Sequence, residues 1–218
     1  SDTHLGYDYR YAWSQHFTHV CTGQRGGLPG ATWLPHAVEP QVYNPAGQYA
    51  STTAQALAYG QVQRLKRWDV VFVGHINDST RLDLLARVFA AYPDTAWWGS
   101  MRHGRVFERA ADVYTQARVV LNHAVKRDVN MRVFEALATR SFLLTPRVPG
   151  LLDLFEDGVH LVTYRDGDVQ DALDQLARYV PDDDARERIA EAGYREVLAK
   201  HTFAHRVARM LDIAEITL

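Results

Sequence analysis

Between Asn122 and Thr145 the chain reads NHAVKRDVNMRVFEALATRSFLLT. A basic, polar loop with Lys126 and Arg127 leads into a short helical stretch carrying Arg132 and one carboxylate, Glu135, and then into an apolar strand. The first backbone N–H groups of a helix lack partners inside it, and the aligned peptide dipoles leave partial positive charge there. Flanked by three basic side chains, such a helix start suits a bound anion. Glu135, one turn further in, can accept hydrogen bonds from neutral hydroxyl groups. Cations for a diphosphate and a carboxylate for a sugar ring together point to a nucleotide-sugar site. The same residues also fit an amphipathic helix whose charges are merely solvated.

Two more loops could serve such a site. GHINDSTR contains Gly74 and His75, where the glycine permits close backbone approach, and Ser79 and Arg81 at a helix start suited to phosphate. Its plainer reading is a turn with a capping serine. The loop after TAWWG brings Gly99, Ser100, Arg102 and His103, which could meet a base or a sugar, or form a surface turn.

Other chemistries lack their signatures. Neither GxGxxG nor GxxxxGK[ST] is present, and no GxSxG elbow accompanies the serines. His201 and His205 are spaced to share a helix face, but no HExxH or carboxylate pattern completes a metal site, so core or capping roles are expected. Asp182, Asp183 and Asp184 read as a solvated helix start, and no metal ligand set is expected.

The elements that must position these loops alternate. The first sixty residues are broken by glycine and proline into short apolar pieces such as HVCTG and TWLP. A segment of helical composition, AQALAYGQVQRLKRW, precedes the β-branched run VVFVG, a buried strand. STRLDLLARVFAAY follows as a helix capped by Ser79, with Leu82, Leu85 and Phe89 at helical spacing. TAWWG, GRVFERAADVYTQA, RVVLN, NMRVFEALAT and SFLLT continue the strand and helix alternation, with Trp97 and Trp98 on opposite faces of their strand. GLLDLFEDGVHLVTY predicts a short helix, a turn at Asp157 and Gly158, and a last strand. Three amphipathic helices close the chain, with Thr202 suited to a cap. Strands separated by helices imply a parallel sheet with right-handed crossovers, a Rossmann-like α/β fold with a helical tail. In such sheets ligands collect beyond the carboxyl ends of the strands, where the three loops lie.

Composition narrows the partners. The 218 residues can bury a large core. A formal net charge of -2, from 24 Lys and Arg against 26 Asp and Glu, gives no global field for nucleic acid. The single cysteine, Cys21, excludes an intramolecular disulfide and fits a reducing, cytoplasmic setting. No run approaches the roughly 18 apolar residues of a membrane span, and no signal-peptide pattern opens the chain. The start on Ser1 and Asp2, without methionine, suggests a piece of something longer.

These stretches carry a resemblance. WLPHAVEP, DVVFVGH followed by Arg81, ARVVLN, NMRVFEALAT, PGLLDLFEDG and RERIAEAGYREVLAKHTFAHR, in that order, resemble the C-terminal, donor-binding half of a GT-B glycosyltransferase of group 1, in particular the CgeB-like or spore-maturation-type enzymes. The resemblance runs from Trp33 to Leu211. It implies transfer of a sugar from a nucleotide-diphosphate donor without a bound metal or other cofactor. By motif, Gly74 and Arg81 would lie near the diphosphate, Glu135 would bind the ribose, and Asn130 and Arg132 would shape the helix start, with His75, Ser79, Arg102 and Asn122 as further donor contacts. Residues 1–60 would be the end of an acceptor-type domain plus linker, and 61–218 the nucleotide-sugar domain. Broader group 1 enzymes carry a second glutamate eight positions before the one matching Glu135, and here Arg127 stands there. A complete acceptor half does not fit in the preceding residues, so a dimer that completes the cleft is one expectation.

In catalysis, Arg81, Lys126 and helix N–H groups would stabilise charge on the departing diphosphate. Two readings stay open. One is an active glycosyltransferase; the other is a nucleotide-sugar-binding module without turnover. The acceptor is unspecified in both.

Overall fold

The computed structural model describes residues 14, 16–45, 66–76, 78–99 and 110–215. Residues 54–65 of the expected helical segment, residues 104–109 of the expected helix before the third strand of the sheet, and Arg102 lie outside them.

Short strands β1 (Cys21–Thr22) and β2 (Thr32–Trp33) pair in parallel. Then come β3 (Trp68–Val73), α1 (Ser79–Ala91), β4 (Thr95–Trp98), α2 (Ala110–Thr115), β5 (Ala117–Leu121), α3 (Met131–Ala138), β6 (Leu143–Pro146), α4 (Leu151–Leu154) and β7 (Val162–Tyr164). The helices α5 (Val169–Tyr179), α6 (Asp183–Lys200) and α7 (Phe203–Ile213) follow. Strands β3 to β7 form a five-stranded, wholly parallel sheet in the order β4-β3-β5-β6-β7. The expected alternation and pairing are therefore observed. The order reverses between β3 and β5, the position at which parallel sheets of this kind form a crevice beyond the carboxyl ends of their strands.

The strands are apolar because both faces are covered. In β3, Val71 and Val73 enter one core with Val133, Phe134 and Leu137 of α3, while Val70 and Phe72 enter the other with Leu84, Leu85 and Val88 of α1. Each such side chain contributes roughly 1.5–3 kcal/mol on burial. That two-residue period aims both loops of the crevice.

Two details of α1 differ from expectation. Its cap is Asp78, not Ser79, which is the first helical residue; the Asp78 carboxylate accepts from Thr80 N at 3.0 Å and Arg81 N at 3.3 Å. An extended Asp78 backbone aims a full negative charge at the positive helix end, which a serine hydroxyl cannot match. Leu82 and Phe89 are 58% and 39% exposed, and the buried stripe is instead Arg81, Leu84, Leu85 and Val88. Two apolar rows run along this helix, and the sheet accepts the one that also buries the Arg81 stem.

Trp97 is half-buried and Trp98 is 41% exposed. Asp182 caps α6 by accepting from Ala185 N at 2.9 Å. The segment before the sheet is strapped to the far end of the chain: Val38 N donates to the His201 carbonyl at 3.1 Å and Phe203 N to that of Val38 at 3.1 Å. Arg206 adds bonds to the carbonyls of Pro35 at 2.7 Å and His36 at 3.0 Å. Among the described residues no helix is long and apolar enough to cross a membrane.

Candidate functional site

The crevice between β3 and β5 is built from backbone outward. Gly74 ends β3 with φ 154°, and a Cβ there would stand 3.0 Å from Nη2 of Arg132 on α3. Absence of a side chain is thus what lets the α3 guanidinium lie against the β3 loop. The Trp97 indole donates to the Gly74 carbonyl at 2.7 Å, and a Cβ at Gly99 would collide with that carbonyl.

Arg81 spans the crevice. Its Nη1 donates to the His75 carbonyl at 2.8 Å and its Nη2 to the His123 carbonyl at 2.9 Å, with the guanidinium carbon 5.6 Å from the Phe72 ring centre. It is 9% exposed, and its Nε is buried with no hydrogen-bond partner. Arg81 therefore holds the two loops at a fixed separation, and its charge acts from behind the crevice floor.

The third loop is clamped as well. Asn122 and Asn130 exchange amide hydrogen bonds at 3.2 and 3.3 Å, and Asn122 also donates to Thr145 Oγ1 at 3.0 Å. Asn130 is the N-cap of α3 yet makes no side-chain bond to the helix, so the first-turn N–H groups are not covered by it. The Arg132 charge opposes that of Arg81 and favours the ionised form of Glu135. Lys126 is exposed on the loop. Arg127, with φ 52°, turns away to an ion pair with Asp166 at 2.6 Å.

Glu135 is 6% exposed. The Tyr114 hydroxyl of α2 stands 3.5 Å from its Oε2, and Tyr43, from the strapped segment, packs against the core that contains the α3 side chains. Burial raises the pKa of Glu135, opposed by Arg132 and then by the two phenols. It sits where a carboxylate is costly unless further donors reach it.

His123 was not singled out by sequence, although a polar residue directly after a buried strand is a usable signal. It is 6% exposed; its Nε2 lies 2.9 Å from Thr80 Oγ1, its Nδ1 3.3 Å from the Tyr164 hydroxyl, and that hydroxyl donates to the Asn122 carbonyl at 2.9 Å. Burial, then the nearby Arg81, lowers its pKa. Thr80, His123, Tyr164 and the Gly167–Asp168 turn line a hollow of about 220 Å³ on the α1 side. Ser79 lines it too, whereas neither Arg81 nor Glu135 does. Sequence also missed Tyr43 and Tyr114, whose contacts are long-range.

His201 packs 5.7 Å from Phe134 and 4.9 Å from Phe155, and His205 Nδ1 lies 2.6 Å from the Thr202 hydroxyl at the start of α7, as core and capping residues do. Among the described residues no group of three His, Cys, Asp or Glu is placed to hold a metal ion.

A parallel sheet reversing at β3 and β5, with glycine, arginines and a buried glutamate at the reversal and helices closing the chain, is the C-terminal-type domain of the GT-B fold. Solved structures agree. Anabaena Alr3699/HepE in complex with UDP and glucose matches with a TM-score of 0.70 at 10% identity, over 96% of this chain and 66% of that one. Sucrose-phosphate synthase from Thermosynechococcus elongatus gives 0.68 at 12%, over 96% and 60%. The C-terminal domain of a group 1 glycosyl transferase from Francisella tularensis, LpcC, gives 0.56 at 16%, over 76% and 98%. The chain thus spans about two thirds or less of the longer neighbours. None of the curated proteins is significantly similar in sequence. The profile of the glycosyl transferase-like family matches residues 55–212, and the chain belongs to that family.

Proposed function

We propose that this chain is the donor-binding part of a glycosyltransferase that takes a sugar from a nucleoside diphosphate, in the manner of the CgeB-like enzymes. The carrying observation is the approach of the Arg132 guanidinium to Gly74, beside the two loops that Arg81 ties together through the His75 and His123 carbonyls. The diphosphate lies against Gly74 and the α3 start, where uncovered N–H groups, Arg132 and the buried charge of Arg81 face it, and Lys126 closes on it from the loop. Glu135 takes the ribose hydroxyls. UDP in the HepE complex makes a uridine donor the first to try. As the anomeric bond breaks, negative charge grows on the leaving diphosphate. Preorganised donors stabilise it there, each by on the order of 3 kcal/mol in the transition state, without a metal.

Calorimetry with UDP, GDP and dTDP and their sugars tests the binding. Expected is binding of at least one nucleotide, lost in Arg132→Ala; indifference to the whole panel would refute the assignment. A second reading, a binding module without turnover, draws support from the Arg127–Asp166 pair, which withdraws the residue at the second-glutamate position. Donor hydrolysis or transfer separates the two.

A further inference from the structure

We propose that His123 is a positioning residue, the middle of a hydrogen-bond relay that runs from the cap of α1 through Tyr164 to the cap of α3 and so fixes the loop on which the diphosphate would rest. That the loop carries a diphosphate rests on the function proposed above. The relay itself does not.

Proton counting gives the relay its direction. The Thr80 hydroxyl donates its single proton to the Asp78 carboxylate, and that bond helps to keep the carboxylate ionised. Thr80 Oγ1 is then left to accept, so its partner at 2.9 Å, His123 Nε2, carries the ring proton. Burial, and then Arg81, favour the neutral ring, against the charges of Asp78 and Asp166. A neutral imidazole has one N–H, and Nδ1 therefore presents a lone pair. Facing it is the Tyr164 hydroxyl at 3.3 Å, which also donates to the Asn122 carbonyl at 2.9 Å and so sits between ring and loop. Asn122 in turn exchanges amide hydrogen bonds with Asn130, the N-cap of α3.

These bonds, and not packing alone, hold the chain of groups in place. Thr80, His123 and Tyr164 all line the hollow of about 220 Å³, so each has open space on one side where a close-packed core would offer contact. His123 and Tyr164 are nevertheless 6% and 2% exposed. A buried polar atom that loses its partner costs more than the bond itself contributes, which leaves the relay one favoured arrangement. Through Asn122, a change on α1 is thereby felt at the start of α3.

The test uses Thr80→Val and Tyr164→Phe, each of which keeps the side-chain shape and removes one hydroxyl. Hydrogen exchange over residues 123–130 should quicken in both variants, including the one whose change lies on α1. Calorimetry should show inorganic pyrophosphate binding about fivefold weaker in each, the scale of one hydrogen bond. The double variant should be no worse than either single one, because a chain broken twice is no more broken than a chain broken once. Nitrogen-15 NMR of the wild-type ring should show the Nε2–H tautomer, and Thr80→Val should lose that preference. A merely structural Thr80 would loosen the start of α1 and leave both the loop and the tautomer as they were. That outcome, or losses that multiply in the double variant, overturns the proposal. If wild type binds neither pyrophosphate nor UDP, the donor reading fails on its own, and loop exchange together with the tautomer still decides the relay.

Discussion

Arg81 and His123 meet across the crevice: a guanidinium from α1 donates 2.9 Å to the backbone carbonyl that follows β5, while its other arm holds the carbonyl of His75 after β3. One side chain thereby sets the distance between the two loops on which the proposed diphosphate rests.

Arg81→Ala is therefore expected to act on stability and on binding together. Hydrogen bonds to a charged donor are worth about 1.5–3 kcal/mol each, so the loss should be about 3 kcal/mol in urea unfolding, with nucleotide affinity falling alongside. Arg81→Lys should rescue little, because an ammonium reaches one of the two carbonyls and lacks the planar fork. Unchanged unfolding and affinity in Arg81→Ala would remove the bridge from the account.

Gly74→Ala tests the close approach of Arg132. The new Cβ meets Nη2 at 3.0 Å and imposes a backbone conformation that side-chain-bearing residues rarely adopt. Strain of about 1–2 kcal/mol is expected in thermal unfolding, with a larger relative fall in pyrophosphate and UDP affinity. Full binding by this variant would place the diphosphate elsewhere.

Glu135→Gln should separate stability from function. Burial raises the Glu135 pKa, so the carboxyl's contribution is intact below its unfolded value of 4.5 and is lost as pH rises through the higher folded value. Wild type and variant should then melt alike in acid, and the variant should gain on wild type as pH rises toward neutrality, while UDP affinity drops about tenfold with the ribose contact. A variant that falls further behind at neutral pH would show the carboxylate to be structural.

His201 makes the fold acid-sensitive by the opposite sign. Burial beside Phe134 and Phe155, and then the Arg206 cation donating to Nδ1 at 2.9 Å, lower its pKa from 6.5 to about 4. The neutral ring's contribution is fully present above pH 6.5 and disappears as pH falls toward 4, a loss on the order of 3 kcal/mol. In His201→Gln, which keeps an acceptor for Arg206, the decline in melting temperature over that window should shrink measurably. An identical decline would assign the acid sensitivity to other groups.

Much of this architecture is legible in the residues. VVFVG, RVVLN and SFLLT are strands because burial on both faces demands continuous apolar runs, and the loops after the first two carry the glycine and the polar residues that the crevice uses. Glu135, Arg132 and Asn130 stand together because one helix start delivers them all. Legibility ends where partners are backbone atoms or distant segments. The burial of Arg81 depends on two carbonyls that leave no trace in composition, and the same burial decides which apolar row of α1 faces the sheet. Tyr43 lies in a stretch dominated by turns, and nothing in its spacing announces that it packs on the core beside α3. Arg127 is visible as a departure, but its left-handed backbone and its pairing with Asp166 depend on the loop after β7.

The bridge between Val38 and Thr202 has a kinetic meaning. Contacts joining sequence-remote segments carry the entropy of closing a long loop and so form late, after the locally connected strands have condensed. Tyr43, carried by the bridged segment, would settle on the α3 side of the core in the final stage of refolding. Protection of the Val38 amide, followed by pulsed hydrogen exchange, should accordingly lag behind the recovery of helical circular dichroism, and the two would coincide only if the ends of the chain found each other early.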